Sequence, residues 1–217
     1  MIDTVIMCGQ QQDQKDCEKR GIPLSECKLE ITGPEDKETA DDEWQWLQQQ
    51  LQQSTADFLI VCGHYPVYSI AEHGPTACLV DQLEPWLLQY NVTAYVAGHV
   101  CFYIYVYMYV YKNMCMYMFD HTFEYINVPG QYVNYIVTGG AHECDNSTEH
   151  ELFKKKKNAV FKNFCEQANI PENSLRFHGC EEGGFVRLHA QDTLSFTFYY
   201  GSDTNAQYVT PEFSPRK

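Results

Sequence analysis

Hydrophobic residues of this chain fall into short runs between polar stretches, and their spacing predicts alternating helices and strands. Residues 10–38 are rich in Gln, Asp, Glu and Lys and contain two Gly and two Pro, so we expect a surface loop with little core. A helix should begin near Thr39 as N-cap, because acidic residues follow in its first turn. Its buried face is predicted from three apolar residues at helical spacing: Trp44, Leu47 and Leu51.

The next runs predict a strand at 57–62, a helix at 79–90 and a strand at 93–97. A strand, a helix and a strand in this order indicate a parallel pair with a right-handed crossover, so both strands end at the same edge of the sheet. Further runs at 132–138, 184–190 and 193–200 are also rich in strand formers, and a hairpin is predicted across 190–193.

Each of the two predicted parallel strands ends in a Gly-His pair, Gly63-His64 and Gly98-His99. Glycine allows a tight turn and the sheet fixes the ring, which makes such a histidine a good metal ligand. Ligands of open α/β sheets collect at this carboxyl edge. A single Gly-His pair is more often a structural histidine than a ligand, so the two pairs indicate a metal site only together with the sequence around them.

Two sequence motifs contain these pairs, GHYPVYSIAEHGPTACLV and VTAYVAGH, and two less specific motifs follow, IPENSLRFHG and GGFVRLHA. They resemble the purple acid phosphatases of the small, tartrate-resistant type 5 kind, which are calcineurin-like metallophosphoesterases. The resemblance covers nearly the whole chain but only about the C-terminal half of the family's catalytic domain. It implies an α/β (α+β) fold, a β-sandwich flanked by helices, of which residues 1–217 form a partial domain.

The resemblance also implies roles for four histidines. His64 and His99 would bind the divalent metal, and His121 would bind Fe(III). His73 would donate to the substrate phosphate or protonate the leaving group, although on its own it reads as an exposed loop histidine. For the remaining histidines solvated or core roles are expected: His142, His150, His178 and His189.

The other ligands of the family are two Asp, one Tyr and one Asn from its N-terminal half. The sequence motifs that contain them do not occur in this chain. The intact family enzyme uses Fe(III) with Fe(II) or Zn(II) to hydrolyse phosphomonoesters as a monomer. Three imidazoles without the bridging carboxylate are expected to hold at most one metal weakly. Two hypotheses follow: a fragment of an acid phosphatase that is inactive alone, or a non-catalytic glycosylated binding domain.

An insertion at 100–119 separates Gly98-His99 from Asp120-His121, the two halves of the family's Gly-His-Asp-His motif. Tyrosine alternates with aliphatic residues in its centre. It could form a β-hairpin, a membrane-spanning segment or sequence absent from the mature protein. Lys112 and Asn113 argue against a membrane span. The low-complexity composition favours a repeat insertion or a gene-model error over a functional element.

Composition and charge narrow the setting. The formal net charge of −14 argues against a nucleic-acid partner. Ten cysteines, with glycosylation sequons at Asn91 and Asn146, favour the secretory pathway, hence a lysosomal or extracellular location. The resemblance implies a disulfide between Cys8 and Cys78 and leaves the other eight cysteines unassigned. No signal peptide begins the chain, and we expect Met1 to be an internal methionine of a longer precursor.

Overall fold

The computed structural model describes residues 1–10, 17–18, 21–27, 31–71, 75–98, 122–139, 170–179, 183–203 and 205–216. The insertion predicted at 100–119 lies outside these ranges. So do the following residues singled out above: His73, His99, His121, His142, His150 and Asn146.

The described helices and strands include those that the hydrophobic pattern predicts, together with one helix near the N-terminus and three strands that it does not. The helices are α1 (Thr4–Cys8), α2 (Lys37–Gln53) and α3 (Glu84–Gln89), which continues a π-helical turn at Leu79–Leu83. Short 3-10 turns lie at Leu24–Glu26 and Glu172–Ser174. The strands are β1 (Ile60–Gly63), β2 (Ala94–Ala97), β3 (Phe123–Ile126), β4 (Asn134–Thr138), β5 (Leu175–Gly179), β6 (Gly184–Ala190), β7 (Leu194–Tyr200) and β8 (Ala206–Val209).

The strands form two sheets. The first has the order β1-β2-β4-β3-β5, in which β1, β2 and β4 are parallel and β3 is antiparallel to both neighbours. The second is the antiparallel meander β6-β7-β8. The predicted parallel pair and the predicted hairpin across 190–193 are confirmed. The mixed α/β class is confirmed as well.

Both faces of the first sheet are covered, which gives a sandwich with a helical layer. Alternation along β3 shows the division, because Phe123 and Tyr125 pack against the second sheet while Ile126 packs into the helical layer. The layer between the sheets is largely aromatic, and its buried members are Ala94, Phe123, Tyr125, Ile136, Leu194, Phe196 and Phe198. Within the described residues, no helix is both long enough and apolar enough to cross a membrane.

Helix α2 begins earlier than the pattern predicted. Its N-cap is Asp36, whose carboxylate accepts from the Thr39 backbone N–H at 3.2 Å and from the Thr39 hydroxyl at 2.7 Å. The expectation of Thr39 as N-cap is therefore wrong by three residues. The predicted buried face is confirmed, since Trp44, Leu47 and Leu51 are all buried.

Two disulfides lie within the described residues. One joins Cys8 of α1 to Cys78 before the π-helical turn, with the Cα atoms 5.8 Å apart, which is the pairing that the resemblance implied. The other joins Cys17 to Cys27 inside the predicted surface loop, and Cys17 is fully buried. That part of the loop is therefore more ordered than its polar composition predicted.

Arg216 fastens the helical layer from the far end of the chain. Its guanidinium donates to the carbonyl oxygens of Ser54 and Ala56, just after α2, and to that of Tyr90, just after α3. Carbonyls at helix ends lack partners within the helix, so a single side chain satisfies both ends. Its own backbone N–H donates to the Asp57 carbonyl at 2.8 Å.

Candidate functional site

One edge of the first sheet collects the chain segments that the sequence analysis singled out. Strands β1, β2 and β4 end at this edge because they are parallel, and β3 begins there because it is antiparallel to β4. Register places one residue of each strand in a single line across the sheet. We call this line the edge row, and its members are Gly63, Ala97, Val137, Glu124 and His178.

The two glycines at this edge are required by close packing rather than by backbone conformation. A Cβ atom on Gly63 would fall well inside van der Waals distance of the Tyr95 hydroxyl, and one on Gly98 would do the same with the Thr138 hydroxyl. The Thr138 hydroxyl donates to the Ala97 carbonyl at 3.2 Å. The glycines thus let polar side chains of the next strand close over the strand ends.

The backbone beside His64 is held by its neighbour Tyr65, which is fully buried. The Tyr65 N–H donates to the Thr4 hydroxyl at 2.9 Å, and the Tyr65 hydroxyl donates to the Gly9 carbonyl at 3.0 Å. The Tyr95 hydroxyl donates to the Tyr65 carbonyl at 2.6 Å. His64 itself is half-buried, with its ring 5.5 Å from that of Tyr65.

Two carboxylates hold the segment that follows. The Tyr68 hydroxyl donates to Glu84 at 2.8 Å. The Ser69 hydroxyl and the Ile70 N–H each donate to Glu124, one to each oxygen, both at 3.1 Å. Burial, together with the hydrogen bond and charge of Glu84, raises the pKa of Tyr68 far above its ordinary value. Tyr68 is therefore neutral and available as a donor at physiological pH.

Glu124 is a further residue of the candidate site, and the sequence pattern did not indicate it. It lies in β3 and in the edge row, and none of its surface is exposed. The one available signal was a charged residue inside the apolar run Phe-Glu-Tyr-Ile. A buried carboxylate requires hydrogen-bond donors, and Ser69 and Ile70 supply them from a segment more than 50 residues away.

The structure places part of the predicted ligand set. His64 follows the edge row directly, while His99 and His121 lie outside the described residues. Their neighbours Gly98 and Thr122 are described, and both are at this edge. Thr122 donates through its hydroxyl to the Gly179 carbonyl at 3.1 Å, and its carbonyl accepts from the Gly139 N–H at 2.9 Å.

The described residues do not by themselves fit a dinuclear metal centre. Within the described ranges, no group of three or more His, Cys, Asp or Glu residues could hold a metal ion. Glu124 does not suit the role of a bridging carboxylate, because it is enclosed and both of its oxygens accept hydrogen bonds from the protein. His178 is half-buried beside Glu124, and His189 is exposed on the second sheet.

Comparison with known proteins gives matches to one family. Residues 12–103 match the family model described as calcineurin-like phosphoesterase. The tartrate-resistant acid phosphatase type 5 of Oryctolagus cuniculus is 34% identical over 87% of the chain, and that of Homo sapiens is 35% identical over 86%. The alignments cover 44% and 43% of those relatives, so the chain spans less than half of their length.

Fold, edge geometry and family match together define the class: the chain carries part of a calcineurin-like phosphoesterase domain. Within that class, it is similar over most of its length to the tartrate-resistant acid phosphatases of type 5. A solved structure, GAP50, the anchor in the inner membrane complex of Plasmodium, shares the fold with a TM-score of 0.58. That structure is 19% identical, and the match covers 84% of this chain and 45% of the other.

Proposed function

We propose that the protein to which these 217 residues belong is a metal-dependent acid phosphatase that hydrolyses phosphate monoesters. The observation that carries the proposal is the edge row. It sets Gly63 beside Ala97 on adjacent parallel strands, so the chain leaves toward His64 and toward His99 from neighbouring points. The similarity to the type 5 acid phosphatases supports the same reading.

In this proposal His64 and His99 bind the divalent metal, Fe(II) or Zn(II), and His121 binds Fe(III). His73 lies beside the substrate phosphate. Glu124 does not act as the bridging carboxylate, since it is enclosed. By the family resemblance, the bridging carboxylate and the remaining ligands belong to the N-terminal half of the family's catalytic domain. The metal ions supply charge stabilisation and an activated water when bound.

For these residues in isolation we propose a catalytically inactive partial domain, 1–217, which holds at most one metal weakly. A non-catalytic glycosylated domain is the second candidate. Asn91 supports it, because this sequon residue is exposed in a tight turn after α3 with a φ of 50°. Both candidates fit a lysosomal or extracellular protein, since two disulfides are present.

The experiment starts from the transcript. Sequencing it upstream of codon 1 and across codons 99–121 should reveal a reading frame that encodes the missing motifs with the Asp, Tyr and Asn ligands. The protein encoded by that frame should bind two metals per chain and hydrolyse p-nitrophenyl phosphate at acidic pH. A longer reading frame without those motifs would contradict the proposed phosphatase activity. So would a longer protein that neither binds metals nor hydrolyses the substrate.

The 217-residue chain should show negligible hydrolysis of the same compound, because its metal site is incomplete. Turnover that His64→Ala abolishes would show that the missing ligands are dispensable. Deletion of residues 100–119 joins Gly98-His99 to Asp120-His121 and should tighten zinc binding. Calorimetric titration of the two chains with zinc tests this, and equal affinities would show that the insertion does not disrupt the site.

A further inference from the structure

We propose that Glu124 is a positioning residue, which holds the segment Ser69, Ile70 and Ala71 against the edge row and so sets where the chain enters position 73. The proposal rests on the proposed function insofar as that function gives His73 a role beside the substrate. The contacts that support it belong to the described residues.

The Glu124 carboxylate contacts both a side chain and a backbone group of the segment. One oxygen accepts from the Ser69 hydroxyl and the other from the Ile70 N–H, each at 3.1 Å. Ser69 extends the arrangement, because its oxygen accepts from the Ala71 N–H at 3.1 Å. Three consecutive residues are thereby fixed by one carboxylate.

The geometry of this contact is set by an interior strand of the first sheet. Glu124 sits between Val137 of β4 and His178 of β5 in the edge row, in a strand that is paired on both sides. Both Ser69 and Ile70 are buried. Inside a protein, hydrogen bonds to a charged acceptor are stronger than neutral ones, and an unsatisfied buried donor is costly.

Position 73 lies only two residues beyond the last residue that this contact fixes. The other end of the segment is fixed separately, through Tyr65 and through the contact of Tyr68 with Glu84. Loss of the Glu124 contact should therefore release the 69–71 end, while the contacts of Tyr65 and Tyr68 still hold the end next to His64. This separation distinguishes a positioning role from general support of the fold.

The test compares four variants of the 217-residue chain by amide hydrogen exchange. Glu124→Leu keeps the bulk of the side chain and removes both acceptors, so exchange at Ile70 should accelerate at least about tenfold. Glu124→Gln should restore most of the protection, because its amide can accept from Ile70 and donate to Ser69. Ser69→Ala should accelerate Ala71 with a smaller effect on Ile70.

Tyr125→Phe is the matched control. It removes a buried hydrogen bond to Asn134 from the same strand but on the opposite face, so Ile70 should stay protected. The imidazole resonances of His73 should shift in Glu124→Leu and return in Glu124→Gln, while those of His189 stay unchanged. No metal or substrate is needed, so failure of the phosphatase leaves this result intact.

Three outcomes overturn the proposal. Unchanged Ile70 exchange in Glu124→Leu would show that the contact does not hold the segment. Equal acceleration in Glu124→Leu and Tyr125→Phe would show general destabilisation. Glu124→Gln behaving like Glu124→Leu would show that the two hydrogen bonds are not what fixes it. If Glu124→Leu does not fold, Glu124→Ala takes its place, and unchanged exchange at Ile70 in that variant contradicts the proposal.

Discussion

Single atoms decide the packing at the carboxyl edge of the first sheet. Gly63 lacks the Cβ that would meet the hydroxyl of Tyr95, and that hydroxyl donates to the carbonyl beside His64. The absence of one carbon therefore permits the hydrogen bond that fixes the backbone of a candidate ligand. A larger residue at this position would therefore require the side chains of Tyr95 and Thr4, or the backbone beside them, to shift.

We predict that Gly63→Ala lowers the free energy of unfolding by about 1–3 kcal/mol, because an added methyl group overpacks a closed site. Urea denaturation measures the loss. The cost should be smaller in a Tyr95→Phe background, which lacks the clashing hydroxyl, although Thr4 still lies close. Gly201→Ala is the control, since its Cβ would make only ordinary contacts. Equal losses at the two glycines would refute the packing account.

At this scale the sequence predicted His64 but not Glu124, for a physical reason. An apolar run that ends in Gly-His signals a strand end locally, within a few residues. The donors of Glu124 are Ser69 and Ile70, and nothing near Glu124 in the chain indicates them. The same holds for Cys17 and Cys27, whose pairing depends on a loop path that composition does not encode.

Among the elements, α2 shows how a helix start is chosen between competing caps. Both Asp36 and Thr39 are good N-cap residues, and each has acidic or apolar residues suitably placed behind it. The structure uses Asp36, and Thr39 donates to it twice. The periodicity fixed the buried face of α2 because that signal repeats over several turns, whereas the boundary depended on one hydrogen-bonding choice.

We predict that Asp36→Ala lowers the melting temperature, while Asp36→Asn, which keeps an acceptor, retains most of it. The hydrogen bonds from Thr39 lower the pKa of Asp36 from its ordinary value of 3.8. A lowered pKa gives stability that is present above 3.8 and disappears as the pH falls through the folded value. The gap between wild type and Asp36→Ala should therefore narrow in acid. Asp41→Ala, exposed in the second turn, is the control, and a gap that widens in acid would contradict the cap.

At the scale of the whole molecule, the two disulfides found among the described residues close chain loops of very different length. Cys8 and Cys78 are 70 residues apart, and Cys17 and Cys27 are 10 apart. The longer loop also encloses α2, β1 and the segment with His64. Its closure restricts a larger part of the unfolded chain.

We predict that removing the long-loop pair by Cys8→Ala with Cys78→Ala costs about 4 kcal/mol, against about 3 kcal/mol for Cys17→Ala with Cys27→Ala. Urea unfolding of both double variants, made in an oxidising host, gives the comparison, and each pair is the control for the other. A larger cost for the short loop would show that local strain or packing, rather than chain entropy, determines the contribution.

The sequence predicted much of the architecture because the pairing it needed was mostly local. The β6-β7 hairpin and the β1-β2 crossover follow from neighbouring runs. The insertion of β4 between β2 and β3 does not, since β2 and β3 are consecutive along the described chain but do not pair. That strand order depends on contacts across the sheet, and no local sequence pattern indicates them.

Arg216 connects this architecture to the order in which the chain is made. Its contacts to Ser54 and Tyr90 span 162 and 126 residues. They therefore raise the contact order of the helical layer, the mean sequence separation between its contacting residues. Synthesis proceeds from the N-terminus, so the carbonyl groups at the ends of α2 and α3 lack their hydrogen bonds to Arg216 until residue 216 has left the ribosome. Completion of these contacts therefore waits until residue 216 has been synthesised, and a stop codon before it leaves the two helix ends without them.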